Sequence, residues 1–168
     1  MLQFVYAGQA PSVLGSCEVF HLVDLSAYAS LISLGSAVAR LEARFDRVAG
    51  DSQTDTGMYI RLLGYAGGIS TFASQYLDSE IVDELDVVWT DADPGTWEPA
   101  YLEVPLPVNT GFVAVKLGAS EDVFNDATGV EFDGHYADAV TLEIVPEPAT
   151  LALLLIGAGA VARRRRGR

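Results

Sequence analysis

Between residues 39 and 46 the chain reads Ala-Arg-Leu-Glu-Ala-Arg-Phe-Asp. Apolar and charged side chains alternate without a break. On a strand, successive side chains point to opposite faces. Ala39, Leu41, Ala43 and Phe45 therefore share one face, and Arg40, Glu42, Arg44 and Asp46 share the other. A helix would scatter both sets around its circumference. A strand with one wholly apolar face must cover it with a second layer, so this octapeptide calls for a packed sheet.

The same reading predicts strands over Cys17–Asp24, Met58–Tyr65, Ile81–Thr90, Tyr101–Leu106, Gly111–Leu117 and Ala137–Val145. In the first, Val19, His21 and Val23 oppose Glu18, Phe20 and Leu22. In the last, Val140, Leu142 and Ile144 oppose Thr141 and Glu143. Turn formers separate the runs: Gly50-Asp51-Ser52, Gly67-Gly68, Asp93-Pro94-Gly95, Asn109-Thr110-Gly111 and Asp133-Gly134. The predicted fold is mainly β, an antiparallel β-sandwich. One short helix interrupts it. Ser26 is placed to cap its start and Gly35 to end it, with Tyr28, Leu31 and Ile32 on one apolar face. A single helix from Ser26 to Phe45 is excluded by Gly35 and by the alternation that follows.

Charge divides the chain in two. Residues 1–146 carry five basic and 22 acidic side chains, a net of -17, while residues 147–168 carry five arginines and Glu147, a net of +4. So acidic a body repels nucleic acid, which is excluded as a partner. Cys17 is the lone cysteine, so neither an internal disulfide nor a cysteine metal cluster forms.

The end of the chain has three parts in order: Pro146-Glu147-Pro148, an uncharged apolar run from Ala149 to Ala162, and a basic block of Arg163, Arg164, Arg165, Arg166 and Arg168. The prolines hold the backbone extended and remove two amide donors, which predicts an exposed, unstructured site open to a processing enzyme. The run predicts a hydrophobic helix. It is shorter than the roughly twenty residues that span a bilayer, with snorkelling arginines to extend its reach. The arginines stay on the cytoplasmic side and the acidic body lies outside. Three regions follow: a poorly ordered start (1–16), a sandwich ectodomain (17–145) and the tail (146–168).

These three parts resemble the PEP-CTERM sorting signal of exported bacterial proteins, a tail also known as the ice-binding protein C-terminal domain. The resemblance implies transient residence in the inner membrane. It implies recognition of Pro146, Glu147 and Pro148 by an exosortase, and release to the cell surface or an exopolysaccharide matrix. It also implies a signal peptide, and since residues 1–16 lack a charged n-region and an apolar run, that signal is expected upstream of Met1. Ice binding does not follow from the label, because the threonines of the body show no period.

The body resembles galactose-binding-like jelly rolls through Val23-Asp24-Leu25-Ser26-Ala27-Tyr28, the strand after it, and the closing stretch from Glu131 to Val145. That resemblance implies a structural Ca²⁺ site at Asp138, with Glu18 as a companion. Further carboxylates sit nearby in sequence (Asp122, Asp126, Glu131, Asp133), and hard oxygen ligands of this kind suit Ca²⁺. A second acidic run, from Asp78 to Asp93, reads as a wet face. Exposed aromatic rings stack on sugars, and Trp97, following a turn, together with Tyr101 is the expected ligand-binding pair; Trp89, Tyr59 and Tyr65 complete the aromatic set. No nucleophile turn, P-loop, dinucleotide fingerprint or HExxH occurs. The expectation is an exported, non-enzymatic surface or matrix protein that binds an extracellular glycan and needs no cofactor beyond the calcium ion. The alternatives are a permanently anchored ectodomain and a small extracellular glycan hydrolase or lyase.

Overall fold

The computed structural model describes residues 1–4, 16–46, 57–89, 95–120 and 135–147. Eight strands fill it: β1 (Leu2–Gln3), β2 (Ser16–Asp24), β3 (Ala37–Asp46), β4 (Gly57–Ala66), β5 (Val82–Trp89), β6 (Glu98–Pro105), β7 (Thr110–Ser120) and β8 (Tyr136–Pro146). They form two four-stranded sheets, in the orders β1-β8-β3-β6 and β2-β7-β4-β5, with every pairing antiparallel. Consecutive strands change sheet at every step except β4 to β5, which pair as neighbours in one sheet; such crossing between two antiparallel sheets is the jelly-roll kind of arrangement.

The alternation of β3 is realised as read. Ala39, Leu41, Ala43 and Phe45 are fully buried against the second sheet. Across the core they meet Met58, Ile60 and Leu62 of β4 and Val113, Val115 and Leu117 of β7. Near β8 the register slips between Glu42 and Arg44, and Ala139 takes φ 50°. This bulge turns Val140 out toward solvent, whereas Leu142 and Ile144 pack on the core as expected.

β2 does not separate into one apolar and one polar face. Cys17 and Val23 pack on the main core, while Phe20 and Leu22 pack on a second one. That second core lies on the outer face of the β2-β7-β4-β5 sheet. Tyr65 stacks on Phe112 at 5.0 Å, and Phe72 and Tyr76 cover them. A 3-10 turn (Ile69–Thr71) and helix α2 (Phe72–Gln75) deliver those two rings. Helix α2 is too short to leave a period in the sequence.

The expected helix exists as a 3-10 turn (Ser26–Tyr28) continuing into α1 (Ala29–Ser33). Its cap differs from the expectation. The Ser26 amide donates to Asp24 Oδ1 at 2.7 Å, so Asp24 caps the turn and the Ser26 hydroxyl does not. Gly35 ends it at φ 65°. Gly35→Ala is expected to lower stability by about 1 kcal/mol, since an L side chain is strained there; a urea midpoint measures it.

Leu2–Gln3 pairs with Ala137 and Tyr136, and Phe4 is buried in the core with its amide bonded to the His135 carbonyl. Residues 2–4 therefore belong to the sandwich, ahead of the boundary expected at residue 17. The predicted C-terminal helix, 149–162, lies outside the described residues. Among those described, no helix is long and apolar enough to cross a membrane.

Candidate ligand-binding face and sorting motif

On β6, Ala100, Leu102 and Val104 face the core. Alternation then puts Pro99, Tyr101 and Glu103 on the outer face, and Trp97 precedes the strand. Trp97 is 36 % exposed and Tyr101 48 %, so both rings offer surface to a ligand.

The register sets Tyr101 beside Glu42 and Glu103 beside Arg40, with Thr141 and Glu143 of β8 in the next row. Arg40, Glu42, Tyr101, Thr141 and Glu143 line a shallow cleft of about 240 Å³. Tyr101 donates its hydroxyl to Glu103 Oε2 at 2.6 Å, and Arg40 Nε donates to the same oxygen at 3.0 Å. The bond to Glu103 holds the Tyr101 phenol above its ordinary range, and the same bond holds Glu103 below the usual carboxylate range. The result is an open aromatic ring fixed at its hydroxyl and surrounded by donors and acceptors. Such a surface offers an apolar face to a pyranose ring and polar groups to its hydroxyls. The residues around Tyr101 were legible in principle: each occupies an outward position of a predicted strand, but only the register brings them into one row.

The expected calcium pair is not brought together. Glu18 and Asp138 point outward from different sheets, on opposite sides of the sandwich. Glu18 already has a cationic partner, with Lys116 Nζ 2.5 Å from its Oε1. The two carboxylates therefore do not fit a shared ion. Among the described residues no group of three or more His, Cys, Asp or Glu side chains could hold a metal. Asp122, Asp126, Glu131 and Asp133 lie outside them.

Glu18 belongs instead to a polar row on the outer face of the second sheet. Lys116 is buried, with its ammonium over the rings of Phe20 and Tyr59. Tyr59 donates its hydroxyl to Glu18, and its ring lies across Gly118, where a Cβ would overlap it. Arg61 binds Asp83 through both nitrogens, at 2.6 and 2.5 Å. Trp89, on the edge strand β5, is 54 % exposed, more open than Trp97. Of the two histidines, His21 lines an apolar cleft between the sheets and His135 is buried.

The sorting motif begins inside the fold. Pro146 pairs with Ala37 as the last residue of β8, and the Glu147 amide donates to the Ser36 carbonyl at 2.8 Å. This corrects the expectation of an unstructured site separated from the last strand. Proline is tolerated at the end of a strand, and Glu147 supplies the next amide to the sheet. Pro148 and Arg163, Arg164, Arg165, Arg166 and Arg168 lie outside the described residues.

No curated protein matches the chain. Residues 145–166 match the family model described as the PEP-CTERM protein-sorting motif. That motif marks an exported protein processed by an exosortase, a membrane enzyme. Over residues 145–166 this chain carries a PEP-CTERM protein-sorting signal.

Proposed function

We propose that the protein is a non-catalytic glycan-binding jelly roll, held at the inner membrane by its tail until processing and then resident at the cell surface or in an exopolysaccharide matrix. The observation that carries the binding reading is the exposed Tyr101 ring, with Arg40, Glu42, Thr141 and Glu143 around it in one cleft and exposed Trp97 four residues earlier in the chain. Glu103 accepts from both Tyr101 and Arg40, which suits a carboxylate that positions an aromatic ring.

A glycan array probed with the purified protein, followed by a product assay on every glycan retained, tests the proposal. Retention without product is expected. Product release would replace the binding module with a hydrolase or lyase. Tyr101→Ala and Trp97→Ala are each expected to weaken retention roughly tenfold, about 1.4 kcal/mol. Both sites are exposed, so stability should stay within about 0.5 kcal/mol of the parent. Full retention by the double variant would move the glycan face elsewhere.

A further inference from the structure

Antiparallel pairing gathers the strand ends into two sets. Asp24, Ala37, Ala66, Val82, Pro105, Thr110 and Pro146 lie at one end of the sandwich, and Ser16, Asp46, Gly57, Trp89, Ser120 and Tyr136 at the other. The tail leaves from the first end. Three connections of described residues form that end: 25–36, 67–81 and 106–109. They contain no basic residue and only two acidic ones, Asp78 and Glu80. Glu80 is engaged, accepting from the Tyr65 hydroxyl and the Leu77 amide.

The same end exposes large apolar side chains. Leu34 is 75 % exposed, Leu77 66 %, Val108 62 % and Tyr28 41 %. The first and third connections touch, since a Cβ on Gly35 would lie 3.5 Å from Val108 Cγ1. In the sequence, of the segments joining strands at the opposite end, 5–15 carries no charge, while 47–56, 90–94 and 121–134 hold nine carboxylates against one arginine, Arg47. Charge is therefore sparse among the connections where the tail departs, which hold Asp78 and Glu80, and denser in the sequence of those at the other end.

Chain length makes the polarity matter. The last strand ends at Pro146, and the apolar run begins at Ala149. Three residue steps reach about 10 Å at most. A tail seated in hydrocarbon therefore holds this end of the body against the interfacial zone of the bilayer. From this we infer that the end formed by Tyr28, Leu34, Leu77 and Val108 is a membrane-docking surface, with a lipid bilayer as its occupant. The inference rests on the reading of the tail as a membrane anchor.

Exposed apolar side chains on a sparsely charged rim suit the headgroup boundary. The acidic end points away, which spares it repulsion from anionic headgroups. A few side chains bind a bilayer weakly when free, but the tail supplies a high effective concentration. The docked body would present the motif to a membrane-embedded processing enzyme in one orientation.

Full-length protein reconstituted into phosphatidylcholine vesicles tests this. On a Cys17→Ser background, an environment-sensitive fluorophore is attached at Leu34→Cys, at Val108→Cys, and at Ser16→Cys as the opposite-end control. The expected result is retention by the vesicles, with blue-shifted emission at 34 and 108 that is lost when the lipids carry brominated acyl chains, and no change at 16. Retention with no response at 34 and 108 would overturn the docking surface and leave the anchor intact. A blue shift insensitive to brominated lipid would overturn it in favour of a second copy or another protein. Failure of the vesicles to retain the protein would overturn the anchor reading, and the docking surface with it.

Discussion

Gly111→Ala should abolish the native fold or cost about 3 kcal/mol or more, at the upper end of overpacking penalties. The reason is a backbone approach. A Cβ at Gly111 would fall inside the contact distance of the Gly67 carbonyl oxygen, with the Gly67 carbonyl carbon and nitrogen close behind. Backbone cannot swing away as a side chain does. The site also extends the pairing of β7 with β2 in the same sheet, since the Leu25 amide, just past β2, donates to the Gly111 carbonyl at 3.1 Å. Gly68→Ala is the control, with no atom within 4 Å of its Cβ and an ordinary φ of -113°. It should be neutral or slightly stabilising. Chemical denaturation of both variants checks the contrast; equal stability would show that β7 and the 67–68 turn separate without cost.

Glu18→Ala should cost about 2–3 kcal/mol. The buried Lys116 ammonium would lose its carboxylate, and Tyr59 its acceptor. Stripping one partner from a buried pair costs about 3–5 kcal/mol, and the Glu18 side chain is 31 % exposed, which screens part of that. Replacing the cation by an apolar side chain, Lys116→Met, should cost far less, because the side chain is buried and its end lies over the rings of Phe20 and Tyr59. Acidification offers a second reading of the same pair. Burial raises the Glu18 carboxyl, but the hydrogen bonds from Lys116 and Tyr59 outweigh it and hold the folded group below its ordinary value. As pH falls, the unfolded carboxylate takes its proton first. The stabilisation is therefore present above the ordinary glutamate range and disappears as pH drops through the folded value. Urea midpoints at pH 7 and pH 3 should diverge more for the parent than for Glu18→Gln; equal divergence would remove Glu18 from the acid transition.

The seven longer strands were legible because each carries a face that water rejects, and the sandwich expectation followed from their number and spacing, while the jelly roll came from the resemblance to galactose-binding-like modules. β1 was not, since Leu2–Gln3 is too short to show a period and is held by pairing with β8. Helix α2 escaped for a related reason. Its four residues are placed by contacts of Phe72 and Tyr76 with Phe20, Tyr65 and Phe112, all distant in sequence. β2 misled because both of its faces are covered, so alternation no longer separates core from solvent.

The candidate face shows the same division. Exposure of Trp97 and Tyr101 could be read from a turn and from strand phase. The company they keep could not, because Arg40, Glu42, Thr141 and Glu143 arrive from other strands by register. The calcium pair failed on register too: Glu18 and Asp138 occupy suitable terminal strands but open onto opposite sides. At the tail the composition was decisive for sorting and silent on geometry. Nothing in Pro146-Glu147-Pro148 announces that its first two residues are bonded to β3.

The central claim is that a folded jelly roll is delivered by a tail that is then removed. Intact mass of the protein recovered from its native host's envelope and medium tests it most directly. The account predicts a species that ends near Pro146 to Pro148 and lacks the five arginines. A species ending at Arg168 in the membrane fraction, with no shorter form in the medium, would contradict it and leave a permanently anchored ectodomain.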